Sequence, residues 1–294
     1  MATIELLGVP SSAGAHWPGQ EKAPAALRQA GLGTALREAG VDFLDAGDAP
    51  VSRWQPVREA DGLSNASTVV AVARRTAERV GATLAEGRLP VVLGGDCSIT
   101  VGAMAGLSTV EPEPGLVYFD GGFDLGTPAT TPGGIADSMG LAHLLGEPGC
   151  HQPLASVGPT MAVDAVLGFG VNDSGELSDQ RGLRHFASAD VRRTGVAMAK
   201  EARELMEARG RRFLVHFDVD VIDFFDLPIA DVPVHVDDHT GLRFALTMDC
   251  LDVFLASPAL GGLVVTELNP DHAVPADIAA FAARLARSLT RTRT

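Results

Sequence analysis

The sequence is poor in cysteine and in positive charge. Its 294 residues include only Cys97, Cys150 and Cys250, without a CxxC pair, which excludes a disulfide framework. Lys and Arg number 23 against 37 Asp and Glu, giving a net charge of −14. This balance makes nucleic acid and anionic membranes unfavourable partners. The acidity is explained either by solubility or by attraction of a cationic substrate.

Long hydrophobic runs are also absent. No uninterrupted apolar stretch reaches about 18 residues, the length needed to span a membrane. The segment Met1–Glu5 lacks the basic region and apolar run that begin a signal peptide. We therefore expect a cytoplasmic protein. With 46% hydrophobic and 20% charged residues, the chain suits a globular protein with a sizeable core.

Short apolar runs alternate with longer amphipathic ones. The short runs predict β-strands at Ile4–Val9, Val41–Ala46, Leu89–Leu93, Gly115–Phe119, Ala165–Val171, Arg212–Phe217 and Gly261–Val265. The longer runs predict helices, among them Pro24–Ala39, Asn65–Glu86 and Arg193–Arg209. This alternation indicates an α/β fold, a parallel sheet covered by helices on both faces. Because no repeat or linker interrupts the pattern, we expect one domain over residues 1–294.

Acidic motifs directly follow four of the predicted strands. The motifs are Gly94-Gly95-Asp96-Cys97-Ser98, Asp120-Gly121-Gly122-Phe123-Asp124 with Gly126-Thr127-Pro128, His216-Phe217-Asp218-Val219-Asp220, and Glu267-Leu268-Asn269-Pro270. A single Asp after a strand is also suited to a turn or a helix cap. Ligands of parallel sheets, however, bind outside the carboxyl ends of the strands, so we expect these carboxylates to converge. Carboxylates suit hard divalent cations such as Mn²⁺ or Mg²⁺.

These motifs resemble the arginase/agmatinase (ureohydrolase) family. Gly8-Val9-Pro10 and the segment Pro24-Ala25-Ala26-Leu27-Arg28 extend the resemblance towards the N-terminus. The resemblance implies a three-layer α/β/α sandwich on a mostly parallel eight-stranded sheet, in a homo-oligomer that is often a trimer or hexamer. It implies two Mn²⁺ ions that activate a hydroxide for attack on a guanidinium carbon. It also implies the metal ligands Asp120, Asp124, Asp218 and Asp220.

Three positions depart from that family pattern. Cys97 and Gly122 stand where the family has histidine ligands, and Asp137 falls near a histidine used for proton transfer. A thiolate can replace an imidazole, whereas glycine supplies no ligand atom. We therefore expect at most one ion, held by Cys97, Asp120, Asp124 and Asp218. That ion is Mn²⁺, or Zn²⁺ or Fe²⁺ if Cys97 coordinates, and an empty pocket is the alternative.

Two side chains near these motifs admit more than one role. His216 lies two residues before Asp218 on the same strand face, so it either compensates for the lost imidazoles or packs deeper in the core; we favour the core. Cys97 is a metal ligand, a nucleophile or an inert buried side chain. Its position before a helix favours the thiolate that the first two roles require.

Recognition of free arginine looks weakened, because the loop after the second motif is poor in polar side chains. Thr131 is its main polar candidate for substrate binding. Asp173 and Glu176 resemble an acidic specificity loop that holds an amine, or they form a turn. His16, in the N-terminal loop, either faces the substrate or anchors the loop.

The sequence favours an enzyme over a binding protein. Our first hypothesis is a diverged C–N hydrolase of the arginase/agmatinase type with an impaired metal site. Its substrate would be a small cationic guanidino or linear amidine compound, and Asp137, Glu267 and Cys97 would take part in catalysis. The second hypothesis is a metal-independent enzyme that uses Cys97. The third is a non-catalytic pseudoenzyme.

Overall fold

A single sheet of eight parallel strands forms the centre of the structure. The computed structural model describes residues 3–59, 62–172, 181–231 and 240–292. The strands are β1 (Ile4–Gly8), β2 (Phe43–Asp48), β3 (Leu89–Leu93), β4 (Gly115–Phe119), β5 (Val166–Val171), β6 (Arg184–Ala187), β7 (Phe213–Asp218) and β8 (Leu260–Thr266). Their order is β2-β1-β3-β8-β7-β4-β5-β6, and every pair is parallel. The predicted α/β class and the eight-stranded parallel sheet are confirmed.

Helices cover both faces of this sheet. They are α1 (Ala23–Gln29), α2 (Leu32–Glu38), α3 (Ala66–Ala85), α4 (Ile99–Ser108), α5 (Gly140–Leu145), α6 (Gln152–Ala155), α7 (Ser188–Thr194), α8 (Val196–Glu207), α9 (Phe244–Leu255) and α10 (Pro275–Leu289). One hydrophobic core joins α1, α2 and α7 to α10 to the sheet, and a second core joins α3 to α6 to the opposite face. The result is a three-layer α/β/α sandwich.

The central strands are apolar on both faces because both faces are covered. Every residue of β3, β4, β7 and β8 is buried. Such strands appear in a sequence as continuous apolar runs rather than as alternating patterns. The edge strand β2 is mostly exposed and carries Asp45 and Asp48. The four central strands therefore offer the most rigid positions for a site.

Two helices that were predicted as continuous are interrupted in the structure. The helix predicted over Pro24–Ala39 is divided into α1 and α2. The helix predicted over Arg193–Arg209 corresponds to α8, but its first two residues belong to the end of α7. In each case a glycine with positive φ separates the two parts, Gly31 at 90° and Gly195 at 70°. Glycine adopts this left-handed conformation without the steric cost that other residues incur, so it ends a helix readily.

Two strand predictions also need correction. The strand predicted at Val41–Ala46 begins at Phe43 and ends at Asp48. The edge strand β6 was not predicted at all. Its sequence Arg-His-Phe-Ala is only partly buried, so it lacks the apolar run that marks the central strands.

The two ends of the described chain lie at the edge where the strands begin. The backbone N–H of Leu89, the first residue of β3, donates to the carbonyl of Thr3 at 3.0 Å. Thr292 lines a small cavity together with Leu89 and Leu260, the first residue of β8. Residues 3 and 292 therefore lie opposite the carboxyl ends of the strands.

Within the described part of the chain, no helix combines the length and the apolar character needed to cross a membrane.

Candidate metal centre at the carboxyl edge of the sheet

The acidic motifs meet at the ends of the four central strands, which are neighbours in the order β3, β8, β7, β4. Cys97 follows β3, Glu267 follows β8, Asp218 ends β7, and Asp120 follows β4. Parallel strands end at the same edge of a sheet, which is where ligands of such folds bind. The structure thus brings together side chains that are up to 170 positions apart in sequence.

Cys97 lies at the centre of this cluster. Its Sγ is 2.8 Å from Asp218 Oδ2, 3.3 Å from Thr266 Oγ1 and 4.0 Å from Glu267 Oε1. Its backbone N–H donates to Asp137 Oδ1 at 2.7 Å. The side chain is buried, so its contacts are with the site and not with solvent.

Backbone N–H groups hold one oxygen of each key aspartate. Gly122 N donates to Asp120 Oδ1 at 2.6 Å, and Asp220 N donates to Asp218 Oδ1 at 2.7 Å. Gly121 N donates to Asp220 Oδ1 at 3.0 Å. For Asp120 and Asp218, the second oxygen is directed at the side chains of the cluster.

His216 is fully buried and also touches the acidic cluster. Its ring stacks on Tyr118 with centroids 4.1 Å apart, and Nδ1 lies 2.7 Å from Thr100 Oγ1. Its Nε2 lies 3.1 Å from Asp120 Oδ2. Burial lowers the pKa of His216 to about 3, so the ring is neutral at neutral pH. The side chain is therefore as buried as a core histidine, and its Nε2 points at the acidic cluster as a metal ligand would.

Asp124 lies further along the loop after β4. It has a positive φ of 48°, and the hydroxyl of Tyr118 donates to its Oδ2. Asp is among the few residues that adopt this conformation with modest strain. Asp124 is therefore held by Tyr118, and within the described part of the chain it is not one of the donor atoms that gather around Cys97.

The carboxylates of the cluster resist ionisation. Burial, followed by repulsion from neighbouring carboxylates, raises the pKa of Asp120, Asp218 and Glu267 well above their usual values. Burial also raises the pKa of Asp124 and of Asp220. Acidic groups so close together repel one another when ionised, and a bound cation would remove that cost.

The same environment disfavours Cys97 as a nucleophile. Burial and the nearby carboxylates of Asp218 and Asp137 raise the pKa of the Cys97 thiol well above its usual value. The thiolate is the nucleophilic form, and it normally requires a positive neighbour. The strand-end position that favoured a thiolate in the sequence is therefore outweighed by the surrounding negative charge.

Asp137 and Glu267 form a carboxyl pair beside Cys97. Glu267 donates a hydrogen bond to Asp137. Both side chains lie close enough to Cys97 for the three to bind one metal ion together. Burial, followed by repulsion from Asp96, raises the pKa of Asp137 to about 7. A pair that shares one proton near neutral pH is suited to proton transfer.

Asp96 lies near the cluster, but its carboxylate is directed away from it. Its Oδ2 accepts from Ser11 Oγ at 3.0 Å and from Gly14 N at 3.1 Å, and its Oδ1 accepts from Ser98. Asp96 thus ties the N-terminal loop to the turn after β3 and supports the site without facing it.

The sequence patterns did not predict the hydrogen bonds by which the N-terminal segment holds Glu267. Gln20 Nε2 donates to Glu267 Oε1 at 2.7 Å and to Asp231 Oδ2 at 2.9 Å. Asp231 Oδ1 also accepts from Trp17 Nε1 at 2.6 Å and from Asn269 Nδ2 at 3.0 Å. Gln20 and Asp231 are 211 residues apart, and neither belongs to a motif, so no local signal links them.

An open cavity of about 380 Å³ lies next to Asp124. Thr131, predicted to bind substrate, lines it, as does Arg181, whose Nε lies 2.8 Å from Glu147 Oε1. His16 is half-buried against Trp17, 5.6 Å between ring centroids, and burial lowers its pKa. Asp173 and Glu176 lie outside the described residues.

The comparison with known proteins agrees with this geometry. Residues 2–291 match the model of the arginase family. The chain belongs to this family. It is 30% identical over 280 residues to arginase of Bacillus caldovelox, covering 92% of each protein. It is 28% identical over 278 residues to Arginase-1 of Homo sapiens, covering 91% of this chain and 85% of that protein. The solved structure of the Bacillus caldovelox arginase matches with a TM-score of 0.86 at 27% identity, covering 98% of both chains.

Within this arginase-family fold, the donor atoms fit one divalent ion better than two. Cys97, Asp120, His216 and Asp218 each offer one ligand atom, and these atoms all lie within 4.8 Å of one another. Gly122, where the family resemblance places a histidine of the second metal, has no side chain to offer. The second position keeps only carboxylates, and we expect its affinity for a metal to be correspondingly low.

Proposed function

We propose that this chain is a hydrolase that cleaves a C–N bond of a small guanidino or linear amidine compound with the help of one divalent ion. The observation that carries the proposal is the convergence of Cys97, Asp120 and Asp218 at the carboxyl edge of the central strands. Membership of the arginase family supports the reaction class.

The acidic site supports a cationic substrate and a bound cation. The carboxylates that surround Cys97 have raised pKa values because they are buried together. A divalent ion held here would supply Lewis acidity and make a water molecule nucleophilic at neutral pH. Guanidinium and amidinium groups are planar cations that pair with carboxylates in two parallel hydrogen bonds.

The residues around the ion site have separable roles in this proposal. Glu267 and Asp137 hold one proton between them and pass it to the leaving nitrogen. Gln20 fixes the carboxyl group of Glu267. Asp124 and Thr131 line the open cavity beside the loop after β4, so they would contact the rest of the substrate.

We further propose one ureohydrolase-like domain that assembles into a homo-oligomer, a trimer or a hexamer. The single sheet, to which all eight described strands belong, supports the first part. Family membership supports the second. Light scattering coupled to size-exclusion chromatography measures the assembly directly.

The reaction is tested with a panel of guanidines, linear amidines and hydroxyguanidines. The purified protein is loaded with Mn²⁺ or Zn²⁺, and release of urea, ammonia or amine is measured. We expect turnover of at least one compound, lost in Asp218→Ala together with metal binding. Asp164→Ala is the matched control, because Asp164 is exposed and distant from the cluster. A folded, metal-loaded protein that is inactive on the whole panel would instead be a pseudoenzyme.

A further inference from the structure

We propose that Cys97, Asp120, His216 and Asp218 form one tetrahedral metal site with sulfur, nitrogen and oxygen ligands, which prefers Zn²⁺ to Mn²⁺. The proposal deepens the proposed function by naming the ligands and the metal. It adds to the aspartates the imidazole of His216, for which the sequence left a ligand role open but favoured the core.

The distances among the four donor atoms are suited to a small tetrahedral ion. Cys97 Sγ is 2.8 Å from Asp218 Oδ2, His216 Nε2 is 3.1 Å from Asp120 Oδ2, and all four atoms lie within 4.8 Å of one another. Zinc bonds of about 2.0–2.3 Å place tetrahedral ligands roughly 3.3–3.8 Å apart. Small side-chain adjustments therefore bring the four atoms around one ion.

The two aspartates are oriented for this role. One oxygen of Asp120 is held by Gly122 N and one oxygen of Asp218 by Asp220 N. The other oxygen of each is the atom that faces His216 or Cys97. Each aspartate is thus fixed by the backbone and presents a single oxygen as a ligand.

His216 is oriented in the same way. Its Nδ1 is hydrogen-bonded to Thr100 Oγ1 at 2.7 Å, and its ring stacks on Tyr118 with centroids 4.1 Å apart. A hydrogen bond to one ring nitrogen is the usual device that directs the other nitrogen to a metal. Nε2 is the nitrogen that faces the cluster.

A second group of described side chains, Cys97, Asp137 and Glu267, could also hold a metal ion, and it has only Cys97 in common with the first group. Asp137 and Glu267 also lie within reach of Cys97 Sγ. Their oxygens, however, are engaged by each other, by Cys97 N and by Gln20 Nε2. The set with His216 is therefore better prepared for a metal, and it is the set with a nitrogen ligand. Thiolate and imidazole together select zinc over manganese, which favours oxygen ligands.

The test uses Co²⁺ as a spectroscopic substitute for Zn²⁺ in the full-length protein without substrate. We expect an intense thiolate-to-cobalt charge-transfer band that is lost in Cys97→Ser and retained in the matched control Cys150→Ser. Asp137→Asn should retain the band, because Asp137 belongs to the competing set. Thr100→Val should weaken Zn²⁺ binding by about 10–100-fold, as loss of a partner of a metal-bound histidine does.

X-ray absorption of the Zn²⁺-loaded wild type decides the ligands even if a variant fails to fold. We expect one sulfur at about 2.3 Å and one imidazole nitrogen at about 2.0 Å, with the imidazole signal lost in His216→Gln and kept in His185→Gln. Absence of sulfur or imidazole in the wild type, or tighter binding of Mn²⁺ than of Zn²⁺, overturns the proposal. These spectra can be recorded without turnover. A protein that binds its metal through sulfur and imidazole but is inactive therefore refutes the proposed reaction and leaves this inference standing. Active protein with an all-oxygen metal site refutes only this inference.

Discussion

Gly122 leaves a space in the site that a larger side chain can occupy. Among the described residues, a Cβ atom added there meets only Asp120 Oδ1 within 4 Å, at 3.7 Å, which is an ordinary van der Waals distance. Its neighbour Gly121 is more restricted, since a Cβ there would lie 3.0 Å from Asp220 Oδ1. Position 122 is therefore the better of the two at which to add a ligand.

We predict that Gly122→His raises the metal content from one ion to two per chain. The new imidazole would join Asp220, whose carboxylate alone binds a second ion weakly. Elemental analysis after removal of excess metal measures the change, and Gly122→Leu is the control for bulk without a ligand. An unchanged metal content in folded Gly122→His would show that the second position has lost more than one imidazole.

At this scale the sequence predicted which residues meet but not how they are directed. Alternation along β7 correctly placed His216 on the same side as Asp218. It could not show that Thr100, from helix α4, would hold Nδ1 and direct Nε2 at Asp120. The raised pKa of the Cys97 thiol was hidden for a similar reason, because the carboxylates that contribute to it follow other strands.

At the scale of elements, the N-terminal segment is part of the site. Gln20 links that segment to Glu267 after β8 and to Asp231. Trp17 donates to Asp231, and its ring lies near His16 and His272. The two side chains therefore differ in whether they touch the carboxyl pair.

We predict that Gln20→Met lowers kcat by up to about 100-fold with little change in KM, because Glu267 loses the donor that positions it. Loss of a donor to buried acceptors should also cost about 1–3 kcal/mol of stability. Trp17→Phe is the control, since it removes a donor to Asp231 and leaves Glu267 held. Steady-state kinetics and thermal unfolding measure the two effects. Equal kcat losses in both variants would argue for a general loosening of the segment.

Helix α5 contains a histidine that must remain neutral. His143 is buried, its Nδ1 lies 2.7 Å from Met139 O, and its Nε2 accepts from His151 N at 3.0 Å. A proton on Nε2 would oppose that last hydrogen bond. Burial lowers the pKa of His143 below its usual 6.5.

This lowered pKa predicts a loss of stability in mild acid. Below about pH 6.5 the unfolded chain takes up a proton at His143 that the folded chain resists, so the free energy of unfolding falls as the pH falls. Above that pH the contribution is complete. Denaturant unfolding of the wild type and of His143→Gln at about pH 7.5 and about pH 5.5 measures it. We expect the stability difference between the two proteins to shrink at the lower pH.

Helix continuity was the weakest part of the sequence-based prediction. Apolar spacing continues through Gly31 and Gly195, so periodicity alone joined the helices on either side. The positive φ of each glycine is a backbone property that spacing does not encode. Strands β3 and β4 have the predicted bounds because their apolar runs are short and end at glycine or aspartate.

For the whole molecule, the buried acidic cluster is a source of instability that a bound cation would offset. The cluster brings the carboxylates of the central strands together, and the imidazole among them, His216, is neutral at neutral pH. Folding without a cation must therefore keep protons on these groups or bear their repulsion.

We predict that a bound metal raises the free energy of unfolding by about 4 kcal/mol at a free metal concentration about 1,000 times Kd. Thermal unfolding with added Zn²⁺, and again after treatment with a chelator, measures the difference. Asp218→Ala should unfold at the same temperature with and without metal. An unfolding temperature of the wild type that does not change when the chelator is added would contradict a metal centre of this affinity.

The architecture was largely predictable because the sheet is parallel and covered on both faces. Runs such as Leu89–Leu93 must be apolar throughout in that setting, so they stand out in the sequence. The hydrogen bonds among Gln20, Asp231 and Glu267 were not predictable, since they depend on how distant loops pack over the sheet edge.

The positions of residues 3 and 292 have a practical consequence for handling the protein. Both lie where the strands begin, whereas the cavity beside Asp124 opens at the other edge of the sheet. A linker joined at either end leaves that cavity pointing away from whatever is attached. The protein can therefore be coupled to a solid support or fused to a carrier with that cavity left open.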